Sequence, residues 1–151
     1  MQRRTFLKGS LAAGAAGVAV GAGLLVPGSV LADWNQAAFD AKDMDSAMKA
    51  IAGGAGEASS DIKIKAPDIA ENGAVVPVTV STGMAAEAIS LFASNNGTPL
   101  TSSYNLGEGA VGYVSTRIKM AKTSDVVALV KSGGKLYSAK KEVKVTIGGC
   151  G

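Results

Sequence analysis

The sequence contains no histidine and only one cysteine among its 151 residues. Zinc, copper or haem sites built on imidazole or on several thiolates are therefore excluded. The Ser-His and Cys-His catalytic pairs are excluded too, because they need an imidazole base, and one cysteine cannot form an internal disulfide. We expect no cofactor and no metal. Thioethers can bind copper, but packing explains the four methionines after residue 32 better: Met44, Met48, Met84 and Met120.

The first 32 residues predict an export signal. Arg3 and Arg4, followed by Phe-Leu-Lys, match the twin-arginine pattern. An apolar stretch rich in Ala and Gly covers residues 10–26, and Val-Leu-Ala at 30–32 offers small residues to signal peptidase. A retained membrane anchor is the alternative, but about 17 residues diluted with glycine are marginal for crossing a bilayer core. We therefore expect cleavage after Ala32 and a periplasmic protein.

Removal of the signal changes the charge of the chain. The signal holds three of the 15 basic residues and none of the 12 acidic ones, so the mature chain carries no net charge. A nucleic-acid-binding surface then has no electrostatic basis, and no membrane contact is expected after cleavage. The remaining 119 residues are enough for one domain with one core.

Residues 33–51 predict one short helix, because apolar residues recur at steps of three and four. Asp33 and Gln36 resemble a capping box at its start, and the glycine pair at 53 and 54 ends it. We expect Trp34 to anchor the helix by packing and residues 53–61 to be a linker. The residues on the apolar face are Trp34, Ala38, Ala41, Met44, Met48 and Ile51.

From Ile62 onward the pattern has a period of two and predicts roughly eight short strands, which is typical of a β-sandwich. Pro77 indicates an edge position or a bulge, because proline cannot donate to a ladder. Asn95-Asn96-Gly97 indicates a turn. The predicted strands are IKIK (62–65), AVVPVTV (74–80), AISLFA (88–93), SYNL (103–106), GYVSTRIKM (112–120), VVALVK (126–131), LYSA (136–139) and EVKVTI (142–147).

The last predicted strand has one apolar face. Val143, Val145 and Ile147 lie on that face, and the residues between them are polar. This alternation predicts a half-buried strand that anchors whatever follows it. We therefore divide the chain into a signal (1–32), a helix plus sandwich (33–147) and a C-terminal arm (148–151).

Cys150 lies in this arm, with Gly148 and Gly149 before it and Gly151 after it. The glycine pair predicts a hinge, and an extended backbone would place the thiol roughly 10 Å beyond Ile147. No basic side chain in the last six residues favours the thiolate, so the sulfur is a poor nucleophile by itself. The residues alone leave two interpretations: a handle that other enzymes modify, or an incidental cysteine that forms an intermolecular disulfide in a binding or assembly module.

The ending VTIGGCG resembles the C-terminus of the SoxY family, whose members end in GGCGG. This chain ends one glycine short of that pattern. The resemblance extends through PDIAENGAVVPVTV (67–80), STRIKMAKTSDVVALV (115–130) and GGKLYSAKKEVKVTIGGCG (133–151). It implies an immunoglobulin-like β-sandwich and a heterodimer with a SoxZ-type subunit.

The resemblance also implies that Cys150 carries sulfur. A SoxXA-type haem enzyme would join thiosulfate to it, a SoxB-type hydrolase would release sulfate, and a SoxCD-type enzyme would oxidise the remaining sulfur. Gly148, Gly149 and Gly151 would form a flexible arm that enters narrow active sites. The chain would then be a substrate carrier and not an enzyme.

Three basic residues lie close together in the sequence: Arg117, Lys119 and Lys122. We expect them to form an ordinary solvated strand face. Docking of anionic partners is the alternative.

Overall fold

The computed structural model describes residues 34–146, which form two helices and nine strands. The helices are α1 (Gln36–Asp40) and α2 (Met44–Ala52). The strands are β1 (Glu57–Ala58), β2 (Ile62–Lys65), β3 (Ile69–Ala70), β4 (Val76–Thr82), β5 (Ala86–Ala93), β6 (Leu100–Asn105), β7 (Tyr113–Ile118), β8 (Ser124–Ser132) and β9 (Lys135–Val145).

The strands form two sheets that enclose a common core. The larger sheet has the order β1-β9-β8-β5-β6, with β3 also paired to β9, and the smaller sheet has the order β2-β4-β7. Val78 and Val80 from the smaller sheet are buried in one cluster with Leu91, Val130 and Val143 from the larger sheet. The predicted all-β sandwich preceded by a helical segment is therefore confirmed.

The helices cover the other face of the larger sheet. Ala47 and Met48 of α2 belong to a second apolar cluster with Phe92 of β5 and Leu129 of β8. Because β5 and β8 are covered on both faces, consecutive side chains along them are buried. This explains why their sequences are apolar runs instead of alternating patterns.

The predicted single helix is two helices, and each begins with an amide or carboxylate cap. The Asn35 side chain accepts a hydrogen bond from the amide of Ala38 at 3.1 Å, and the Asp43 side chain accepts one from the amide of Ser46 at 2.8 Å. Hydrogen bonds from Ser46 hold the pKa of the Asp43 carboxyl below its usual value. A side-chain oxygen satisfies a free amide at a helix start, so Asp43 starts a new helix in the middle of the predicted one.

Two further expectations for this segment are wrong. Asn35 caps α1 in place of the predicted box at Asp33, a residue outside the described part of the chain. Trp34 is 65% exposed, so it is not the packing anchor; Ala38 and α2 supply the buried contacts. Gly53, with a φ of 91°, ends α2 as predicted. Neither described helix is long and apolar enough to cross a membrane.

The last two predicted strands are one strand, β9. Its polar middle stays in the sheet because the side chains find partners: Ser138 Oγ donates to the Gly56 carbonyl at 3.0 Å, and Lys141 Nζ donates to the Ala66 carbonyl at 2.6 Å. The predicted linker contains β1, which pairs in parallel with β9. Gly133 and Gly134, both with positive φ, form the tight turn from β8 into β9.

Pro77 lies in β4, the central strand of the smaller sheet. Within residues 34–146 its only strand partner is Arg117 of β7, because β2 ends at Lys65, opposite Thr79. The β4–β7 register has no bulge. Proline therefore occupies a local edge position within a central strand, as its missing amide requires.

Candidate functional site

The predicted site residues Cys150, Gly148, Gly149 and Gly151 lie outside the described residues. The structure describes the strand end from which they continue. We call residues 143–146 the root. We call residues 147–151 the tail, which consists of Ile147 and the predicted arm. The geometry of the root is therefore what bears on the candidate site.

The root is hydrogen-bonded on both of its edges. On one edge, Val143 pairs with Ser124 of β8. On the other edge, the amide of Thr146 donates to the Ala70 carbonyl at 3.1 Å, and the amide of Lys144 donates to the Asp68 carbonyl at 2.9 Å. These two bonds belong to the parallel pairing with β3, a strand that the sequence patterns did not reveal. The backbone is therefore fixed as far as the last described residue.

Side chains fix the root as well. Val143 is fully buried, and Val145 packs partly buried against the sandwich core, which confirms the predicted apolar face for these two residues; the third, Ile147, lies outside the described part of the chain. The amide of Val145 donates to Thr123 Oγ1 at 2.9 Å. A Cβ on Gly73 would collide with the Met120 carbonyl oxygen and would lie 2.8 Å from a methyl group of Val145, so only glycine fits there. The Gly73 carbonyl accepts a hydrogen bond from the amide of Met120 at 2.7 Å.

Two loops beside the root are tied to each other. Asn95 Nδ2 in the β5–β6 loop donates to the Thr123 carbonyl at 2.8 Å. Asn96 Nδ2 donates to the Lys119 carbonyl at 2.7 Å, and Asn96 Oδ1 accepts from the amide of Ala121 at 2.8 Å. The sequence identified this asparagine pair only as a turn. The structure shows that it also connects the β7–β8 loop to the neighbouring loop.

The basic residues do not form one strand face. Arg117 lies on the exposed face of β7, but Lys119 and Lys122 follow Ile118 in the β7–β8 loop. That part of the prediction is wrong because β7 ends two residues earlier than expected. All three side chains are exposed, and within residues 34–146 none of them forms an ion pair. They add positive charge at the end of the sandwich where the root lies.

The methionines are packing residues, as predicted. Met44 and Met48 belong to the cluster beneath the helices, whereas Met84 and Met120 belong to the sandwich core. They are thus divided between two clusters instead of forming one ligand set. Within the described part of the chain, no group of three or more His, Cys, Asp or Glu side chains is placed to hold a metal ion.

Comparison with known proteins confirms the resemblance found in the sequence. The model of the family described as sulfur oxidation protein SoxY matches residues 48–150, and that of the twin-arginine translocation signal matches residues 1–21. The structure is similar to that of the sulfur carrier protein SoxY from Chlorobium limicola f thiosulfatophilum. The two share 48% identity with a TM-score of 0.62, over 68% of this chain and 96% of that chain.

Two structures of superoxide reductase (neelaredoxin) from Ignicoccus hospitalis are also similar, each with 24% identity and a TM-score of 0.50. They match 56% of this chain and 79% and 80% of their own. At this identity the likeness concerns the fold alone. The search of curated proteins found no match.

Proposed function

Because the chain belongs to the SoxY family of sulfur oxidation proteins, we propose that it holds thiosulfate-derived sulfur covalently on Cys150. The twin-arginine signal directs it to the periplasm. The observation that carries the proposal is that the family match extends to residue 150 and so includes the only cysteine. The fixed root supports it, because a carried group must be presented from a defined point.

The proposed cycle starts at the Cys150 thiol. Its sulfur forms a bond to the outer sulfur of thiosulfate, giving Cys–S–S–SO₃⁻, while one proton is released and two electrons pass to a SoxXA-type haem enzyme. Water then cleaves the terminal S–S bond in a SoxB-type hydrolase. This step releases sulfate and two protons and leaves the persulfide Cys–S–S⁻. A SoxCD-type enzyme, where present, oxidises the persulfide sulfur further.

In this cycle the chain itself holds and presents the sulfur and does not catalyse its reactions. Four residues lead from Thr146 to Cys150, so an extended tail reaches about 14 Å beyond the root. Small residues at Gly148, Gly149 and Gly151 keep the tail narrow. A narrow tail on a fixed root allows successive active sites to receive the same thiol.

The experiment is mass spectrometry of the C-terminal peptide, from protein purified out of cells grown with thiosulfate. Sulfane or thiosulfonate adducts on Cys150 are the expected result, and protein from cells grown without thiosulfate is the control. If the peptide contains only free thiol and homodimeric disulfide, the binding or assembly module replaces the carrier.

We also propose that a SoxZ-type subunit folds onto this chain before export. The twin-arginine pathway carries folded proteins, and a bound partner gives a reason for its use by a chain with no expected cofactor. Exposed apolar side chains for such an interface include Val75, Val111 and Tyr113, which are 50%, 77% and 55% exposed. An obligate interface would bury about 2,000 Å² or more.

Replacement of Arg3 and Arg4 by lysine tests this export. Both this chain and the partner should then remain in the cytoplasm, as judged by cell fractionation. A periplasmic partner beside a retained carrier chain would show that the two are exported separately.

A further inference from the structure

A cleft of about 370 Å³ opens at the end of the sandwich where the root lies. It lies between the α1–α2 connection, the β5–β6 loop and the β7–β8 loop. None of the described residues that line it is acidic. The lining residues are Lys42, Asn96, Gly97, Thr98, Lys119 and Ala121.

The chemistry of the cleft suits a small oxyanion. Lys42 and Lys119 are both exposed, and neither forms an ion pair with any other residue between 34 and 146. Asp43 follows Lys42 directly in the sequence, and its carboxylate is hydrogen-bonded to the start of α2. Two ammonium groups and the Thr98 hydroxyl therefore remain as donors for an oxyanion. Hydrogen bonds between an ammonium group and an oxyanion are charge-assisted and are stronger than those between neutral groups.

The cleft lies within reach of the tail. One residue, Thr123, separates the root from the β5–β6 loop: its hydroxyl accepts from Val145, and its carbonyl accepts from Asn95. Asn96, the next residue, lines the cleft and is bonded to Lys119. An extended tail spans about 14 Å from Thr146 to Cys150. We take this length to be enough to pass Thr123 and reach the β5–β6 loop that lines the cleft.

A second cleft, of about 510 Å³, lacks both properties. Its one basic side chain, Lys140, is paired with Asp125 at 3.4 Å. The cleft is lined by Ser138 and Ala139 on β9, and at about 3.3 Å per strand residue Ala139 lies roughly 23 Å from Thr146, to which the tail is attached. The tail does not span that distance. Size alone therefore does not select a site for the tail.

From this geometry we infer that the Lys42–Lys119 cleft is a resting site for the sulfonate end of the group carried on Cys150. The inference rests on the proposed carrier function and deepens it. The cargo Cys–S–S–SO₃⁻ is an anion on a tether of about 14 Å, and the cleft beside the root holds two cations that form no ion pair within residues 34–146. Docking there shields the S–S bond from thiols in solution until a partner enzyme takes the tail.

The test loads the thiol chemically, so that its outcome does not depend on any partner enzyme. The mature protein, with any subunit that co-purifies, is treated with tetrathionate. The Cys150 thiolate attacks the central S–S bond, forms Cys–S–S–SO₃⁻ and releases thiosulfate, so no further oxidant is needed. Mass spectrometry then measures the acetylation rate of each lysine in loaded and unloaded protein.

Loading should slow the acetylation of Lys42 and Lys119 by about three- to tenfold, because an adjacent anion stabilises the unreactive ammonium form. Lys63 and Lys135, exposed at the other end of the sandwich, are the matched controls and should not change. Equal rates in loaded and unloaded protein would overturn the inference. Equal protection of Lys42 and Lys119 by the released amount of thiosulfate, added to Cys150→Ser protein, would also overturn it, since the lysines would then be protected without a carried group.

A second measurement uses variants of the cleft. In Lys42→Gln with Lys119→Gln, dithiothreitol should release the carried group about threefold faster than in the parent protein, because the tethered anion loses its charged partners. Lys63→Gln with Lys135→Gln should release it at the parent rate. Equal rates in all three proteins would contradict the shielding role. Absence of adducts in cells would instead remove the proposed function while leaving these in vitro results intact.

Discussion

β9 and the tail are adjacent in sequence and differ in how their residues can be held. All eleven residues of β9 have a strand partner, Lys135 to Val143 on β8 and the last two on β3. Four of the five tail residues are glycine or cysteine, so the tail has little side chain with which to pack. We therefore expect β9 to contribute to the stability of the fold and the tail to contribute the proposed sulfur chemistry. Substitutions should therefore separate the two properties.

The largest effect is expected for Cys150→Ser. Thiosulfate-dependent turnover in a reconstituted system should be abolished, because the chain has no other thiol. The thermal unfolding midpoint should stay at the parent value, since the residue lies beyond the root. Both are measured on the same preparation. Turnover at parent rates would remove the carrier function.

The converse change is Val143→Ala in the root. The side chain is fully buried, so its truncation should lower the free energy of unfolding by about 2 kcal/mol through lost burial and an unfilled cavity. Val111→Ala is the matched control, because Val111 is 77% exposed, and it should be nearly neutral in the chain measured without its partner subunit. Denaturant titration measures both. Similar losses of unfolding free energy in the two variants would show that Val143 contributes no more to stability than the exposed Val111.

A smaller effect is expected when both tail glycines, Gly148 and Gly149, are replaced by valine. β-branched residues widen the tail and restrict its backbone, so loading and unloading by partner enzymes should slow several-fold. The unfolding midpoint should not move. Stopped-flow measurement with each partner enzyme checks this. Unchanged rates with every partner would show that a narrow tail is unnecessary.

The smallest effect, and one of opposite sign, is expected beside the root. Ser124 and Ser90 are each 5% exposed, but Ser90 bonds to Ser103 at 2.9 Å, whereas the Ser124 hydroxyl has no partner among the described residues. Ser124→Ala should raise the free energy of unfolding by up to about 1 kcal/mol, because a buried unsatisfied hydroxyl is removed.

Ser90→Ala is the matched control and should lower the free energy of unfolding by about 1 kcal/mol. Calorimetry of the two variants gives the comparison. Losses of equal size would mean that the Ser124 hydroxyl is satisfied in solution.

Strands with one covered face were the easiest to predict from the sequence. IKIK became β2 at the predicted bounds, because alternation records directly which side faces the core. β3 could not be found, since two residues, Ile69 and Ala70, carry no periodicity and are strands only through their pairing with β9. The joined β9 was missed for a related reason: its polar middle depends on partners from distant parts of the chain, such as Ala66.

The candidate site was predicted only in part. The position of Cys150 after an apolar strand was visible in the sequence, and the structure confirms that strand as far as Val145. The links that fix the root were not visible, because Thr123 and Asn95 act through backbone groups that are 22 and 28 residues away. Hydrogen bonds of this kind depend on tertiary approach and leave no local pattern.

The pairing of β9 with short strands also has a consequence for the protein in a crowded compartment. Its outer edge is occupied by β1 at Tyr137 and Ser138 and by β3 at Lys144 and Val145, with the Lys141–Asp68 ion pair, at 3.0 Å, between them. Unpaired edges are templates on which further copies of a chain assemble. Where β1 and β3 pair with it, the strand that bears the tail is therefore closed to such stacking.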